Sequence, residues 1–479
     1  MSSPAKSAVE RWPRQIKFII GNEACERFSY YGMRSILAGY ITGAVLKGGL
    51  GQDADTSTEI IHLFVFVNYF MPLFGAWLSD KIIGRYHTIL WVSLFYCAGH
   101  GVLACSDFAG TVHGKLLLLY TGMALIAFGS GGIKPCVSAF VGDQFKPEQS
   151  HLLQKAYGAF YWAINLGSFF SFLVVPWVKD RHGYGLAFGV PGILMAIATF
   201  IFWLGTKHYV RVPPSRETKS AGFFKVFWHA LTGKRAPGQG FWDAARARFT
   251  EKEIDAAKSV LPILLVFALI PPFWSLFEQS NSTWVLQGEK MVPVLLMPGT
   301  FLSLDIGAEQ MQSMNSLIVM ILVPLFTLGI YPRIGRFAAP LRRMSCGMFL
   351  AAGSYLVVAA LQRQIEAGAQ LSVLWQTVPY VILTAAEVLV STTGLEFAFR
   401  EAAPEMKSLV MSFWLLTIAF GDLLVAAVTK LFANASNHAA SVSTNRFLFY
   451  AGMTFVVAIL FCVVTAVYKY RDAAAAEGK

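Results

Sequence analysis

The stretch YGLAFGVPGILMAIATFIFWLG, residues 184–205, decides the fold class of this chain. Its 22 residues include no charged side chain, and about 20 apolar residues suffice for a helix that crosses the hydrocarbon core of a bilayer. Similar stretches recur along the chain. The predicted spans are residues 15–45, 59–79, 86–106, 114–137, 152–178, 184–206, 259–287, 308–332, 340–362, 373–399, 405–432 and 446–469. The sequence therefore predicts an all-α integral membrane protein with twelve transmembrane helices.

The composition also favours a lipid environment. Hydrophobic residues make up 55% of the 479 positions and charged residues only 14%, which is more apolar surface than a soluble core of this length can bury. The six cysteines are scattered singly, without the spacing of a metal site or a redox motif, so we expect them to be packing residues and expect no metal.

The distribution of basic residues predicts the orientation. When both termini are placed on one side, that side holds 28 of the 39 Lys and Arg residues and the other side holds 8. Cytoplasmic loops carry the excess of basic residues. We therefore expect both termini to be cytoplasmic and the chain to be a multi-pass protein of the plasma (inner) membrane. The net charge of +11 follows from this bias and does not indicate a nucleic-acid partner.

A basic hydrophilic segment divides the chain. Residues 207–258 carry 11 Lys and Arg residues, which predicts a six-helix bundle over 1–206, a cytoplasmic linker over 207–258 and a second six-helix bundle over 259–479. The loop Gly75–Thr88 after span two has a partial echo in Tyr331–Phe337 after span eight. Such internal symmetry is typical of transporters whose halves rock around a central site. A shared tight turn between helices is the alternative.

The first span contains a charged stripe. Glu23, Arg27, Tyr30 and Arg34 recur at i, i+4, i+7 and i+11, with Glu26 beside them, so they share one helix face. A charge near the bilayer centre costs about 2.5–3.5 kcal/mol even on the most lenient scale, so this face must meet a polar interior. Pairing among these groups can change when a carboxylate takes a proton. A structural ion cluster that locks helices together is the alternative.

Further polar and aromatic side chains interrupt the later spans. They are Lys134 and Asn165 in the first half, and Trp274, Glu278, Asn315, Glu387, Ser391 and Trp414 in the second half. A cavity with a basic wall and an acidic wall suits a zwitterion, and aromatic groups at the same depth suit varied side chains. Helix packing is the alternative for each of them alone.

His62 lies near the start of span two, seven residues before Tyr69 and on the same helix face. A histidine near an interface is either solvated or, because it titrates near neutral pH, suited to a proton relay. We find no nucleophile with a base and no metal-ligand spacing, so an enzyme is not expected.

Six motifs along the chain resemble one family, the proton-dependent oligopeptide transporters of the major facilitator superfamily. They are ExxERFxYYG at Glu23–Gly32, the loop motif with Asp80 and Arg85, GxGGIKP ending at Pro135, FYxxINxGS at Phe160–Ser168, FWxxFEQ at Phe273–Gln279, and AExxxSxxGLEF at Ala386–Phe397. The resemblance implies a monomer that carries di- and tripeptides together with protons by alternating access, with no cofactor.

The resemblance also implies residue roles. Proton coupling falls to Glu23, Glu26, Arg27, Glu278 and His62. Substrate binding falls to Arg34, Tyr30, Tyr31, Tyr69, Lys134, Asn165, Trp274, Asn315, Glu387, Ser391 and Trp414. In this reading Glu278 breaks and remakes a pair with Arg34, while Arg34 and Lys134 hold the peptide carboxylate.

The chain departs from its relatives at three places. Residues 207–258 are too short and too charged for the two additional helices of many bacterial members. Ser391, Thr392 and Thr393 stand where many relatives have Ser-Pro, which leaves the bend in span ten in doubt. Beside the ExxER motif, His62 is either redundant or required for coupling. An anion transporter of the nitrate type and a peptide sensor that transports nothing remain the alternatives.

Overall fold

The computed structural model describes residues 12–214, 222–234, 238–296, 304–333, 339–433 and 440–470. It is almost entirely helical. The elements are α1 (Ile16–Ser35), α2 (Leu37–Thr42), α3 (Ala54–Leu78), α4 (Arg85–Ala104), α5 (Val112–Asp143), α6 (Ser150–His182), α7 (Tyr184–Leu204), α8 (Phe223–Thr232), α9 (Asp243–Arg246), α10 (Glu251–Lys258), α11 (Val260–Phe267), α12 (Pro271–Glu278), α13 (Thr283–Gly288), β1 (Val294–Leu296), β2 (Leu304–Ile306), α14 (Ser313–Pro324), α15 (Pro340–Glu366), α16 (Thr377–Glu387), α17 (Thr393–Glu401), α18 (Lys407–Ala433) and α19 (Thr444–Val467).

Ten helical segments in the described part of the chain are long and apolar enough to cross a membrane. An eleventh crossing is formed by Glu251–Phe267 and Pro271–Asn281, which are bent by 47°. Helix α1 is not counted with them because Glu23, Glu26 and Arg27 lower its mean hydropathy. A multi-pass helical membrane protein is thus confirmed, while the count of twelve stays a prediction.

The predicted seventh span is broken rather than continuous. Residues 259–287 form α11, α12 and α13 instead of one helix. Pro271 and Pro272 begin α12, and because proline has no backbone N–H it cannot continue the hydrogen bonding of the preceding helix.

The spans pack as two groups that meet along a seam. In the first group α1 packs on α6 and α7, and α5 packs on α3 and α4; in the second, α15 packs on α16 and α19, and α12 packs on α18. Across the seam α3 contacts α18 and α6 contacts α14. Strands β1 and β2 pair antiparallel near the end of the molecule where α1 ends. We call this the hairpin end and the opposite end the linker end.

Glycines allow the closest helix contacts. A Cβ atom on Gly75 would lie 2.1 Å from the carbonyl oxygen of Gly132, and one on Gly167 would lie 2.4 Å from that of Ala24. Such distances permit no side chain, so glycine is required where α3 meets α5 and where α6 meets α1.

Three π-helical turns interrupt or end long helices. Ser79–Ile83 follows α3, within the loop Gly75–Thr88, and Leu325–Ile330 follows α14, immediately before Tyr331–Phe337. Residues 334–337 of that second loop lie outside the described residues. The third turn, Val388–Thr392, separates α16 from α17, and the Thr392 hydroxyl donates to the Val388 carbonyl oxygen at 2.6 Å. Span ten therefore has a local irregularity although residues 388–392 contain no proline.

The described part of residues 207–258 holds α8, α9 and α10. They contain 10, 4 and 8 residues, so none could span a bilayer alone. Helix α8 has apolar residues on two faces: Phe223, Val226 and Ala230 are buried, whereas Phe224 and Trp228 are exposed.

Candidate functional site

A cavity of about 200 Å³ lies on the seam between the two groups of helices. Eight of the predicted substrate residues line it: Tyr31, Arg34, Tyr69 and Asn165 from the first half, and Trp274, Asn315, Glu387 and Ser391 from the second. The proton-coupling candidate Glu278 lines it as well. The volume is below the roughly 300–1,000 Å³ of drug-sized sites, so in this conformation the cavity suits a small solute.

Arg34 and Glu278 form a buried ion pair across the seam. Their side chains, from α1 and α12, are only 2% and 3% exposed, and the guanidinium Nη2 donates to Oε2 of Glu278. Removing two charges from water is costly, and their mutual attraction compensates only when both partners are present. Any opening of the seam at this depth must break or replace this pair.

A carboxylate on the opposite wall accepts a hydrogen bond from one neutral donor. Asn315 Nδ2 donates to Glu387 Oε2 at 2.7 Å and to Thr384 Oγ1 at 3.1 Å. Glu387 is the last residue of α16, immediately before the π-helical turn. Glu387 makes no ion pair with another described residue, so its carboxylate can attract a cation in the cavity.

Glu23, Glu26 and Arg27 form a second buried cluster, outside the cavity lining. Arg27 Nε lies 3.0 Å from Glu23 Oε1 and 2.5 Å from Glu26 Oε2. All three side chains are on α1 and are at most 11% exposed. The charged residues predicted to share one face of α1 are all buried in the structure. They divide into this cluster, which is paired within α1, and Arg34, which pairs with Glu278 across the seam.

Lys134 and Tyr30 lie behind the cavity wall. The Lys134 Nζ atom is 4.4 Å from the ring centre of Tyr30 and 4.3 Å from that of Tyr69, and it is buried without a hydrogen-bond partner among the described residues. The Tyr30 hydroxyl accepts a hydrogen bond from Asn68 at 2.8 Å. Neither residue lines the cavity in this conformation, so their contact with substrate stays a prediction.

Trp414 also lies one layer back. Its ring packs edge-to-face on Trp274 at 6.2 Å and covers Gly394, where a Cβ atom would be 2.0 Å from the indole. Trp274, which lines the cavity, is fixed in turn by a hydrogen bond from Nε1 to Thr417 at 3.0 Å. Trp414 therefore orients Trp274 rather than facing the cavity itself.

His62 is completely buried, so the alternative of a solvated histidine is wrong. Its Nδ1 lies 2.7 Å from Asp422 Oδ1, and its Nε2 lies 2.8 Å from Ser282 Oγ. Both partners belong to the second half, so His62 is a second polar contact across the seam, outside the cavity lining.

Several lining residues were not predicted, among them Gln312, Ser316, Phe172 and Tyr380. Ser316 bonds to Ser168 across the seam at 2.7 Å, and Gln312 donates to the Ser35 carbonyl oxygen at 3.1 Å. One signal was available for them. Gln312, Asn315 and Ser316 recur at i, i+3 and i+4, so the polar face of span eight could have been read from its spacing.

Comparisons with known proteins agree with this architecture. The sequence profile of the POT family matches residues 86–445. Solute carrier family 15 member 2 of Rattus norvegicus is 37% identical over 383 residues, which are 76% of this chain and 51% of that protein. Peptide transporter family 1 of Drosophila melanogaster is 38% identical over 373 residues, or 75% of this chain and 49% of that protein. The chain thus spans about half the length of these curated relatives.

A solved structure is similar over nearly its whole length. The crystal structure of an auto-inhibited POT family peptide transporter superimposes with a TM-score of 0.85 at 38% identity, covering 95% of this chain and 98% of that chain. The profile covers well over half of the chain. The chain belongs to the POT family of proton-dependent oligopeptide transporters.

Proposed function

We propose that this protein imports di- and tripeptides together with protons by alternating access. In the proposal it has twelve transmembrane helices, with α1 as the first, and both termini are cytoplasmic. It works as a monomer in the plasma (inner) membrane, and protons are its coupling ion with no other cofactor. The linker end then faces the cytoplasm, and the hairpin end faces outward.

The observation that carries the proposal is the placement of Arg34 and Glu387 in one cavity but on opposite halves. A zwitterionic peptide can offer its carboxylate to the guanidinium and its ammonium to the carboxylate. Charge-assisted hydrogen bonds of this kind are stronger than neutral ones. A peptide that spans the cavity therefore draws the two halves together, which is the differential interaction that a conformational change requires.

Proton coupling follows from the ion pair that Arg34 forms with Glu278 before the substrate binds. When Glu278 takes a proton it no longer competes for Arg34, and the guanidinium becomes available to a peptide carboxylate. Protonation and peptide binding thus favour each other, which is the reciprocity that symport needs. A neutral zwitterion moving with one proton carries one positive charge, so a potential of 100 mV contributes about 2.3 kcal/mol to its accumulation.

The contacts across the seam support a conformation closed at the hairpin end. Arg34 lies near the end of α1, His62 near the start of α3, and Asp422 in the second half of α18. Because successive spans run in opposite directions, all three positions are toward the hairpin end. With the proposed orientation, the cavity is shielded from the outer solution.

The test is uptake of labelled dialanine by proteoliposomes that contain the purified protein. An inward proton gradient with a negative interior should produce accumulation above equilibrium, which excess unlabelled dipeptide abolishes and free alanine does not. Uptake of nitrate instead would favour an anion transporter. Saturable binding of dialanine without any flux, in folded protein, would favour a sensor.

A further inference from the structure

Two carboxylates meet at the hairpin end, outside the cavity and outside the clusters described above. Glu309 precedes α14, and Glu289 follows α13. A Cβ atom built on Gly39 of α2 would lie 2.7 Å from Glu309 Oε1 and 3.2 Å from Glu289 Oε1. The two oxygens are therefore no more than 5.9 Å apart, the sum of those distances. Both acids come from the second half, whereas Gly39 belongs to the first.

One ammonium group pairs directly with Glu309. Lys179, near the end of α6, places Nζ 2.5 Å from Glu309 Oε2 and 3.2 Å from Asp180 Oδ1. Glu309 is 4% exposed, and its second oxygen, Oε1, is buried without a hydrogen-bond partner among the described residues. One oxygen of a buried carboxylate is thus paired across the seam, and the other faces a second acid with no donor.

Other charged groups surround the pair and do not supply that donor. A cavity of about 380 Å³ at the same place is lined by Lys179, Asp180, Glu289, Asp305 and Glu309. The Tyr184 hydroxyl of α7 lies 3.5 Å from the same Gly39 point, and Lys290 adds a positive charge beside Glu289. Among these groups the carboxylates outnumber the ammonium groups by four to two, so the site has an excess of negative charge.

We propose that Glu309, together with Glu289, takes up one proton from the outer solution when the hairpin end closes, so that acid stabilises the closed conformation. The proposal rests on the proposed function, because alternating access supplies the open conformation in which both carboxylates are hydrated and ionised. On closure, Glu309 becomes buried, whereas Glu289 loses part of its surrounding water but keeps an exposed surface. A proton on Oε1 turns an unpaired acceptor into a donor and removes one of two facing like charges.

The pKa values of both carboxyl groups are shifted in the direction that this proposal requires. Burial raises the pKa of Glu309 to about 7 in the closed conformation, and loss of surrounding water raises the pKa of Glu289 in the same direction. A carboxyl group with a higher pKa in the closed than in the open conformation binds its proton more tightly when closed. The closed-to-open ratio is therefore larger at low pH and falls, by at most tenfold per pH unit, as the pH rises from about 4.5 toward 7.

The direct test measures the closed-to-open ratio of the hairpin end against pH. Spin labels at Leu46→Cys and Gln370→Cys report the distance between the two halves there, since both positions are exposed at this end. The six natural cysteines are replaced, and the protein must still exchange labelled dialanine. Pulsed electron paramagnetic resonance then gives the two populations between pH 5 and pH 8.5 in wild type and variants.

We expect the Glu309→Gln variant, which mimics the protonated acid, to stay closed as the pH rises. The fall of its closed-to-open ratio should be smaller than that of wild type by up to tenfold per pH unit, the contribution of one bound proton. In Lys179→Met, Glu309 loses its ion pair and Glu289 loses one nearby positive charge, so the closed population should fall by at least tenfold at pH 8 and recover in acid. Glu59→Gln is the matched control. Its carboxylate also crosses the seam at this end, but it is partly exposed and lies 3.9 Å from Lys430, so the slope should be unchanged.

An unchanged pH slope in Glu309→Gln would overturn the inference. Exchange of labelled dialanine at equal pH on both sides separates this failure from failure of the proposed function. If wild type exchanges dialanine and the slope of Glu309→Gln matches that of wild type, only the proton site is wrong. If wild type exchanges no dialanine, the proposed function is wrong whatever the slopes show.

Discussion

The charged groups of α1 behave as two different regions. Glu23, Glu26 and Arg27 are paired within the helix, whereas Arg34, two turns further on, reaches Glu278 in the other half. The first cluster moves as a unit with its own half and survives any rocking of the two halves. The second pair exists only while the seam is closed at that depth. An ion pair within one half can adjust the electrostatics of the site. An ion pair between the halves depends on the conformation and can therefore control it.

The largest effect should come from breaking the shared pair. Glu278→Gln leaves the Arg34 guanidinium buried without its counter-charge, which costs about 3–5 kcal/mol. We expect proton-driven accumulation of dialanine to be lost, while exchange without a gradient persists because the cavity remains. Proteoliposome uptake with and without a proton gradient measures both. Glu278→Asp keeps the charge and should recover part of the accumulation. Full accumulation by Glu278→Gln would contradict the coupling role.

A smaller effect should come from the self-paired cluster. Glu23→Gln weakens one contact of Arg27 but leaves Glu26 at 2.5 Å, so the loss should be about 1.5–3 kcal/mol, that of a charged hydrogen bond. The apparent melting temperature should fall and coupling should weaken. The spin-label distance across the hairpin end should not change, since no partner in the other half is lost. A shift of that distance would show that the two regions of α1 are not independent.

The contact between His62 and Asp422 should have a smaller coupling energy, and it should act on the closed-to-open equilibrium of the two halves. We expect a double-mutant cycle of His62→Ala and Asp422→Asn to give a coupling of about 1 kcal/mol, a roughly fivefold change in the closed-to-open ratio. The same spin labels measure that ratio for both single variants and the double variant. Additive effects would mean that the hydrogen bond does not contribute to closure.

The smallest effect is expected at a pair that is neither buried nor shared between the halves. Lys252 of α10 is 82% exposed and lies 2.8 Å from Glu405. Solvent and salt screen such a contact. Lys252→Ala should therefore leave the melting temperature and the rate of dialanine exchange unchanged. A clear drop in either would indicate that the linker controls the linker end of the molecule.

The difference between contacts within one half and contacts between the halves also explains how much could be predicted from the sequence. The Glu23–Arg27 pair is an i, i+4 contact on one helix, so spacing alone predicted it. The partners of Arg34 and His62 are 244 and 360 positions away, and no helical period relates them. The pairing of Arg34 with Glu278 came from the resemblance to the family. That of His62 with Asp422 was not predicted at all.

Depth within a bundle was equally hard to predict. Lys134, Tyr30 and Trp414 have the residue types of a binding site, yet they lie one layer behind Tyr69 and Trp274, which line the cavity. Sequence identifies which groups must avoid lipid but not the order in which they are layered around a cavity. The π-helical turn at Val388–Thr392 was likewise hidden, because neither proline nor glycine marks it.

The contacts that close the hairpin end also hold one tip of a long helix in place, so that the helix can rotate about that tip. Helix α6 has 33 residues and, at 1.5 Å per residue, is about 50 Å long. Lys179 anchors it to the other half close to one tip. A rotation of about 10° around that tip carries the far tip through about 9 Å. A small lengthening of the hydrogen bonds near that fixed tip is thus sufficient to open a passage at the linker end.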